Sequence, residues 1–600
     1  MKKKEWMIQY FHERTYTAQA LAEFAEEAAK AAELGAAYVF ISQVPKRREE
    51  WLCQNGDPYP NWGMLQTSLF KLAVPEALKP WLDAEYADKN RELLKERAKI
   101  AGKYGLKAGL VLIDPFYLPE KVYLAHPNWR GPRCDHPRRS THMYFSPCVD
   151  EPEVRQLYRE ALEILYRDMD ISYIQIVTND SGAGLCWSHG LYNGENGPAR
   201  CRDIPLSQRL LGFLDVFTET AKACKRQVTV DLTSDIIGFK EPDPALALCC
   251  GGLKEGQLLC GRGPDGVSLV FQYIFMQYEH VRPLRGIAFP LSFSRILWEA
   301  QKGDAKWLKL ILPESGHREY EAVLKAWKLK GGDSYMELLA VQEKAAELVG
   351  GKENTSLLLE IWTEMERAME KLSSLQLDNF VLMPLVSQRL INRPLVPYPE
   401  LLTEEEKSYY RPYLFQAMTK EQAQDYMNIQ GMEFLSGFSA ARIARLCCMD
   451  AKKCLKKAVG LLKQMKETEK WSLGDSEILS DRLKVFCCLA DTLAHAAEYQ
   501  QILDATKPEE QAEFRTVWPI TGDDRYYRLN EIMREEIDNA YYLASLLKGR
   551  AEEFFVLAEP QAGEDIFLLS GELPTQLQRK AQIMLAHMRD TEKKYESPNR

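Results

Sequence analysis

Two residues that could act on a sugar, Asn179 and Asp180, come directly after an apolar run at residues 173–177. Cleavage of a glycosidic bond needs a proton for the leaving oxygen and a second carboxylate that serves as nucleophile or as base for water. We predict that Asp180 is the general acid and that Asn179 lies beside it in the site. The candidates for the second carboxylate are Asp231, Asp235 and Glu195.

The same pair opens a glycine-rich segment, residues 178–202, that combines aromatic rings with amide and carboxylate groups. Aromatic rings stack on the C–H face of a sugar, and polar side chains bind its hydroxyls. We therefore predict that this segment binds substrate through Trp187, His189, Tyr192, Glu195 and Asn196. The alternative is a structured surface loop whose glycines only permit tight turns.

A second segment, residues 114–148, is rich in arginine and histidine. Guanidinium groups bind carboxylates, phosphates and sulfates, so the segment favours an anionic substrate, with Trp129 stacking on the sugar and Arg130 binding its polar groups. The alternative is a solvated basic loop that balances nearby acids. A zinc site is a further alternative, but its candidate ligands match no standard spacing and we predict no metal. Those candidates are Cys134, His136, His142 and Cys148.

Polar residues also follow or close other apolar runs of the first half of the chain, namely His12, Asp114, Asp231 and Asp235. In a parallel barrel the carboxyl ends of the strands meet at one mouth, so we predict that these four residues contribute to substrate binding. The alternative is that Asp and Asn end strands because they suit turns.

The elements that must position these residues alternate between short apolar runs and helical patterns. Eight runs are predicted as strands, at residues 7–11, 37–41, 108–113, 173–177, 227–232, 267–274, 286–291 and 306–312. Strands that are apolar on both faces and separated by helices indicate a parallel sheet. Eight of them predict a (β/α)8 TIM-type barrel. An open doubly wound sheet is less favoured, because no glycine-rich turn follows the first strand.

From about residue 319 long helical patterns dominate, interrupted by a proline-rich passage at residues 392–399. We find no repeat of fixed length there, which argues against a solenoid. The predicted organisation is a barrel domain at residues 1–320 followed by a mostly α-helical domain at residues 321–600.

Composition excludes several classes of protein. Hydrophobic residues make up 46% and charged residues 27% of the chain, as in ordinary globular proteins. A net charge of −9 argues against nucleic-acid binding. No apolar stretch is long enough to span a bilayer and no signal peptide is evident, so we expect a cytoplasmic protein that does not bind membranes. The 14 cysteines are then expected as reduced thiols.

The segment around residues 173–182, with its Ile-Gln-Ile-Val-Thr-Asn-Asp sequence, resembles the fourth-strand region of β-N-acetylhexosaminidase-like retaining glycosidases. The opening Gln-Tyr-Phe-His-Glu-Arg at residues 9–14, followed by an Ala-rich helix, is similar to the first βα unit of that superfamily. The helical second half resembles the C-terminal regions of α-glucuronidase-type barrels. The resemblance implies that Asp180 is the general acid and that Asn179 orients an acetamido group. Those enzymes usually have an acid at the position of Asn179, and an amide cannot stabilise an oxazolinium cation in the same way.

The sequence therefore predicts a glycoside hydrolase that acts on a short saccharide or glycoside, either anionic or N-acetylated, without a cofactor. The expected partner is the small carbohydrate substrate, and self-association as a homo-oligomer is left open. One alternative is a metal-dependent sugar-acid isomerase or lyase on the same barrel. Another is a non-catalytic carbohydrate-binding protein with a degenerate site.

Overall fold

The computed structural model describes most of the 600-residue chain and divides it into two compact units. The described residues are 4–11, 18–45, 47, 67–134, 143–178, 185–187, 196–233, 249–273, 284–313, 318–373, 384–387, 389–410, 438–504, 524–558, 564 and 569–590. The first unit comprises residues 1–274 and 296–315, and the second comprises residues 275–295 and 316–600. The domain boundary at residue 320 expected from the sequence stays a prediction.

The first unit is built on ten strands within its described part. They are β1 (Glu5–Phe11), β2 (Tyr38–Phe40), β3 (Lys107–Ile113), β4 (Arg130–Arg133), β5 (Phe145–Pro147), β6 (Tyr173–Val177), β7 (Thr229–Thr233), β8 (Gln257–Leu259), β9 (Val270–Tyr273) and β10 (Trp307–Pro313). Strands β4 and β5 form an antiparallel pair, and the other eight form one parallel sheet.

The order of strands in the parallel sheet is β8-β7-β6-β3-β2-β1-β10-β9. Strands that follow each other along the chain are thus neighbours, as in a (β/α)8 fold. Strands β8 and β9 are consecutive along the chain, but within the described residues they do not hydrogen-bond to each other as neighbouring strands. They lie at the two opposite edges of the sheet. The sheet has eight parallel strands, the number predicted. The strand predicted at residues 286–291 is wrong, because a helix begins at Pro290. The strand that was not predicted is β8.

The sheet is curled rather than flat. A single buried cluster on one face collects side chains from β1, β2, β6, β8, β9 and β10. Leu258 and Val270, from the two ends of the order, both belong to it. Side chains from opposite ends can share a cluster only if the sheet bends around them, so this face is concave.

Close packing inside the curl depends on one glycine. A Cβ placed on Gly109 of β3 would lie 2.9 Å from a ring carbon of Phe40 on β2. The Phe40 ring thus occupies space that any larger residue at position 109 would need, and it makes an edge-to-face contact with Tyr173 at 6.0 Å.

Helices connect most of the strands of the first unit. They are α1 (Leu21–Glu33), α2 (Ala84–Lys103), α3 (Glu120–Ala125), α4 (Pro152–Asp168), α5 (Leu206–Ala223) and α6 (Pro290–Lys302), of which α6 crosses the division between the units. Their starts follow local chemistry: Asp83 caps α2 by accepting a hydrogen bond from the Tyr86 amide, and α4 has Pro152 at its first position. Tyr158 of α4 packs edge-to-face on Phe213 of α5 at 5.2 Å, which joins the two helices.

The second unit is mostly helical in its described part. Its helices are α7 (Arg318–Lys330), α8 (Tyr335–Gly350), α9 (Thr355–Ser373), α10 (Pro384–Ser387), α11 (Glu404–Tyr410), α12 (Phe438–Leu462), α13 (Leu473–Asp504), α14 (Asp524–Leu547), α15 (Ala551–Phe554) and α16 (Leu573–His587). Two short parallel strands, β11 (Leu557–Ala558) and β12 (Leu569–Ser570), complete it. A buried ion pair between Lys580 and Glu536 links α16 to α14. None of the described helices is long and apolar enough to cross a membrane.

Candidate active site

A buried carboxyl group lies on the concave face of the parallel sheet. Asp231 of β7 accepts a hydrogen bond from the Tyr173 hydroxyl at 2.8 Å through Oδ2, and from the Gly261 amide at 2.9 Å through Oδ1. Burial raises the pKa of Asp231, and the two hydrogen bonds and the nearby Lys309 oppose that rise. Asp231 thus has defined protein partners for both of its oxygens.

A buried amine faces the same interior. Lys309 of β10 donates a hydrogen bond to Oε1 of Gln175 on β6, and its Nζ lies 4.4 Å from the centre of the Phe40 ring. Gln175 in turn donates through Nε2 to the Thr233 hydroxyl at 2.9 Å. Burial lowers the pKa of Lys309 to about 7, against the opposing effect of the Asp231 carboxyl. We call Tyr173, Gln175, Asp231, Thr233 and Lys309 the polar layer.

The polar layer extends from Tyr173 at the amino end of β6 to Thr233 at the carboxyl end of β7. Asp231 is paired in register with Gln175, and Thr233 with Val177. One residue further on, the Thr178 amide donates to the Thr233 carbonyl at 3.1 Å, so the ends of β6 and β7 stay joined at this edge. In the sequence Asp180 follows Thr178 by two residues, and Asp235 follows Thr233 by two residues.

Asp114, predicted to bind substrate, has protein hydrogen-bond partners for both of its carboxylate oxygens. It is fully buried at the end of β3, where Oδ2 accepts from the Leu69 amide at 2.9 Å and Oδ1 from the Tyr158 hydroxyl at 3.1 Å. Tyr158 belongs to α4, so the carboxyl group points towards the helices. Burial raises the pKa of Asp114 to about 7. Asp114 thus joins β3 to α4, and its contribution to substrate binding stays a prediction.

The two residues predicted from the basic segment are held by other side chains. Trp129 is buried; its ring stacks on His126 at 3.8 Å and its Nε1 donates to Glu153 at 2.6 Å. These contacts occupy the ring that was predicted to stack on sugar, so Trp129 supports the loop. Arg130 is exposed, with its guanidinium 4.3 Å from the centre of the Phe145 ring, and its predicted binding of polar groups of the substrate stays a prediction.

Two pieces of the segment between β6 and α5 are described, residues 185–187 and residues 196–205. They hydrogen-bond to each other, and the second also hydrogen-bonds to strand β4. The Trp187 amide donates to the Asn196 carbonyl at 2.9 Å, and Trp187 Nε1 donates to the Pro198 carbonyl at 2.9 Å. Asn196 uses its whole amide on Arg133, accepting from its backbone N–H at 2.7 Å and donating to its carbonyl at 3.0 Å. The Arg202 guanidinium lies 4.7 Å from the centre of the Trp187 ring. Asn196 therefore joins the segment after β6 to β4, and its predicted contact with substrate hydroxyls stays a prediction.

Several predicted residues lie outside the described part of the chain: His12, Asn179, Asp180, His189, Tyr192, Glu195 and Asp235. Of the zinc alternative, His136 and His142 also lie outside it. Cys134 and Cys148 are described but belong to different buried clusters, and Cys148 lies beside Cys186 instead.

The inward-facing residues Lys309, Gln175 and Tyr173 were not predicted as site residues. A signal was present, because a lysine in the apolar run at residues 306–312 and a glutamine in the run at 173–177 both interrupt stretches otherwise typical of buried strands. A polar residue in such a strand needs a buried partner, which the other strand supplies.

No protein-family model and no curated protein sequence matches the chain. Among solved structures, a GH138 enzyme targeting pectin rhamnogalacturonan II is similar with a TM-score of 0.50 and 10% identity, over 99% of this chain and 84% of that chain. An O-GlcNAc hydrolase mutant from Thermobaculum terrenum has a TM-score of 0.34 at 11% identity over 99% and 97% of the two chains. A GH36 alpha-galactosidase from Geobacillus stearothermophilus has a TM-score of 0.30 at 12% identity over 60% and 42%.

The last two similarities are too low to carry an argument, and the first shows a shared fold. The curled eight-stranded parallel sheet followed by a helical region is thus a fold used by a glycoside hydrolase.

Proposed function

We propose that this chain is a glycoside hydrolase that cleaves an O-glycosyl bond in a short saccharide, with Asp180 as the general acid. The observation that carries the proposal is the hydrogen bond from the Thr178 amide to the Thr233 carbonyl. It joins two adjacent strand ends at the carboxyl edge of the sheet, where parallel α/β barrels bind their substrates. Each of these ends leads within two residues to an aspartate, Asp180 and Asp235.

The distance between the two strand ends and the two residues of chain beyond each of them permit the carboxyl separation that glycoside cleavage needs. Neighbouring strands lie about 4.8 Å apart, and two residues of chain reach at most about 7 Å. Glycosidases hold their two carboxyl groups about 5–10 Å apart, with shorter separations for retention and longer ones for inversion. We therefore propose Asp235 as the second carboxylate and keep Glu195 as the alternative.

Asp231 is a weaker candidate for that second role. It lies two residues before the end of β7, and both of its oxygens accept hydrogen bonds from Tyr173 and Gly261. A nucleophile or base needs a lone pair directed at the substrate or at water. We propose that Asp231 positions Tyr173 and the Gly261 loop below the site.

The proposed site is the mouth of a closed barrel. Pairing of β8 with β9 would complete the cylinder. These two strands are consecutive along the chain but lie at opposite edges of the sheet, and both contribute side chains to one interior cluster. The exposed Arg130 supports an anionic sugar, which a guanidinium binds through paired hydrogen bonds. An N-acetylated sugar remains the alternative substrate.

Hydrolysis of a panel of aryl glycosides, including uronides and N-acetylhexosaminides, tests this function. We expect wild type to cleave at least one member and Asp180→Asn to lower its kcat/KM by about 10²–10⁴-fold. Asp170→Asn is the matched control, because Asp170 precedes the amino end of the same strand with its side chain 85% exposed. Its kcat/KM should stay within a few-fold of wild type. Cleavage that survives Asp180→Asn would remove Asp180 as the acid, and an inactive wild type would overturn the proposed class.

A further inference from the structure

Three cysteines and an aspartate from separate parts of the first unit form one compact group. The Sγ atoms of Cys148, Cys186 and Cys201 and a carboxylate oxygen of Asp150 all lie within 4.8 Å of one another. The Sγ atoms of Cys148 and Cys186 are 3.6 Å apart, and all three cysteines are buried. We call these four residues the thiolate cluster.

The loops at the carboxyl edge of the sheet bring the thiolate cluster together. Cys148 directly follows β5, with its amide donating to the Trp129 carbonyl at 2.7 Å, and Asp150 precedes α4. Cys186 and Cys201 belong to the segment between β6 and α5, where Cys201 ends a short 3-10 helix, Ala199–Cys201. The four residues thus come from the connections after β3 and after β6.

The carboxyl group of Asp150 independently indicates that a cation binds here. Its side chain is only 3% exposed, and Oδ2 has no hydrogen-bond partner within the described residues. The other oxygen, Oδ1, lies 3.5 Å from Nη2 of Arg155. A buried carboxylate oxygen without a partner is costly, so a cation at this position would lower the free energy of the folded chain.

The separation of the Cys148 and Cys186 sulfur atoms fits a tetrahedral zinc site. A Zn–S bond of about 2.3 Å places two sulfur ligands about 3.8 Å apart, close to the separation of Cys148 and Cys186. Three thiolates and one carboxylate complete four-coordination, as in closed structural sites. The four ligands and the Zn²⁺ ion together carry a net charge of −2. The positive guanidinium groups of Arg155, Arg200 and Arg209 interact electrostatically with Asp150 and offset part of that charge.

We propose that Cys148, Cys186, Cys201 and Asp150 bind one structural Zn²⁺ ion. Three thiols lose their protons when the metal binds. The ion fastens the connection after β6, which in the sequence begins with Asn179 and Asp180, to the connection after β3. The site holds the loops in place and supplies no open position for a reactant. It does not depend on the proposed hydrolase activity.

Metal analysis of the full-length wild-type chain tests the proposal directly. We expect about one zinc per chain after purification without chelators, and X-ray absorption that fits three sulfur neighbours at about 2.3 Å and one oxygen at about 2.0–2.2 Å. A chain that carries no zinc and takes up none when titrated with ZnSO4 would overturn the proposal. So would a disulfide between Cys148 and Cys186 in freshly purified protein, found by thiol counting and peptide mapping.

Single substitutions locate the ion without relying on enzyme activity. Cys186→Ser is expected to lower zinc content at least about tenfold at a free zinc concentration that saturates wild type. Cys134→Ser is the matched control, because Cys134 is equally buried in the same region but belongs to another cluster. It should retain the full zinc content. Loss of zinc in both variants, or in neither, would contradict the assignment.

Chelation of wild type provides a test that needs no variant. Removal of zinc should lower the Tm of the first unfolding transition by about 5 °C or more, and added zinc should restore it, because a ligand that binds only the folded state stabilises it. A Tm that is insensitive to both additions would contradict a structural metal.

Discussion

Lys309 on β10 donates a hydrogen bond to Gln175 on β6, although three strands separate β6 from β10 in the sheet. The contact crosses the concave face, and it places an amine in an interior that also contains the aromatic rings of Phe40, Tyr173 and Trp307. The amine is fully buried there, so its protonation is coupled to folding.

Lys309→Met should change how stability depends on pH. The pKa of Lys309 is about 7 in the folded chain, below the usual 10.5, so between these values the unfolded chain binds more protons. The free energy of unfolding of wild type, relative to that of Lys309→Met, should therefore rise by about 2 kcal/mol from pH 7 to pH 9. Urea unfolding at the two pH values measures it. Lys306→Met is the matched control, because it removes an exposed amine three residues earlier in the chain, and it should show no such rise.

Tyr173 and Asp231 should be energetically coupled, because the Tyr173 hydroxyl donates to the buried carboxyl group. We expect Tyr173→Phe and Asp231→Asn each to lower the free energy of unfolding by about 1–3 kcal/mol. The double variant should lose less than the sum, with a coupling energy of about 0.5–3 kcal/mol in a double-mutant cycle. Strictly additive losses would show that the hydrogen bond contributes nothing.

Asp114→Asn should separate the two roles considered for this residue. The pKa of Asp114 is about 7, above its usual 3.8, so the folded chain binds more protons between these values and wild type loses stability as pH rises. Asn does not titrate, so wild type should lose about 2 kcal/mol relative to Asp114→Asn from pH 5 to pH 8, measured by urea unfolding. If Asp114 instead binds substrate, Asp114→Asn would raise KM at temperatures where both proteins are folded.

Asn196→Ala tests whether this side chain joins loops or binds sugar. It removes both hydrogen bonds to the Arg133 backbone, and we expect a loss of about 1–3 kcal/mol in the free energy of unfolding. Asn196→Asp keeps the acceptor but places a carboxylate oxygen against the Arg133 carbonyl, so it should not restore the stability. Unchanged stability together with a raised KM would favour sugar binding.

Much of the fold could be predicted from the sequence because buried parallel strands are nearly continuous apolar runs. The strand at residues 173–177 was predicted with the bounds that β6 has in the structure. Strand β8 was missed because Gln257–Leu259 is too short to show any periodicity. The apolar run at residues 286–291 was misassigned because a short run of that kind suits a strand or the start of a helix.

The site was harder to predict than the fold because side-chain direction depends on register. Asp114 directly follows β3 and Asp231 lies in the middle of β7, and one meets Tyr158 of α4 whereas the other meets Tyr173 in the interior. A shift of one residue along a strand reverses the face. The thiolate cluster is still less visible in sequence, because Cys148 and Cys186 are 38 residues apart and only the loops bring them together.

The contact between Gly109 and Phe40 limits how the interior could be redesigned. Since a methyl group at position 109 would already collide with the aromatic ring, enlarging one position requires shrinking the other. Enlarging position 109 alone should cost about 1–3 kcal/mol, whereas a paired exchange such as Gly109→Ala with Phe40→Leu would roughly preserve the total volume. Homologous chains, once aligned, should accordingly display compensating sizes at this pair.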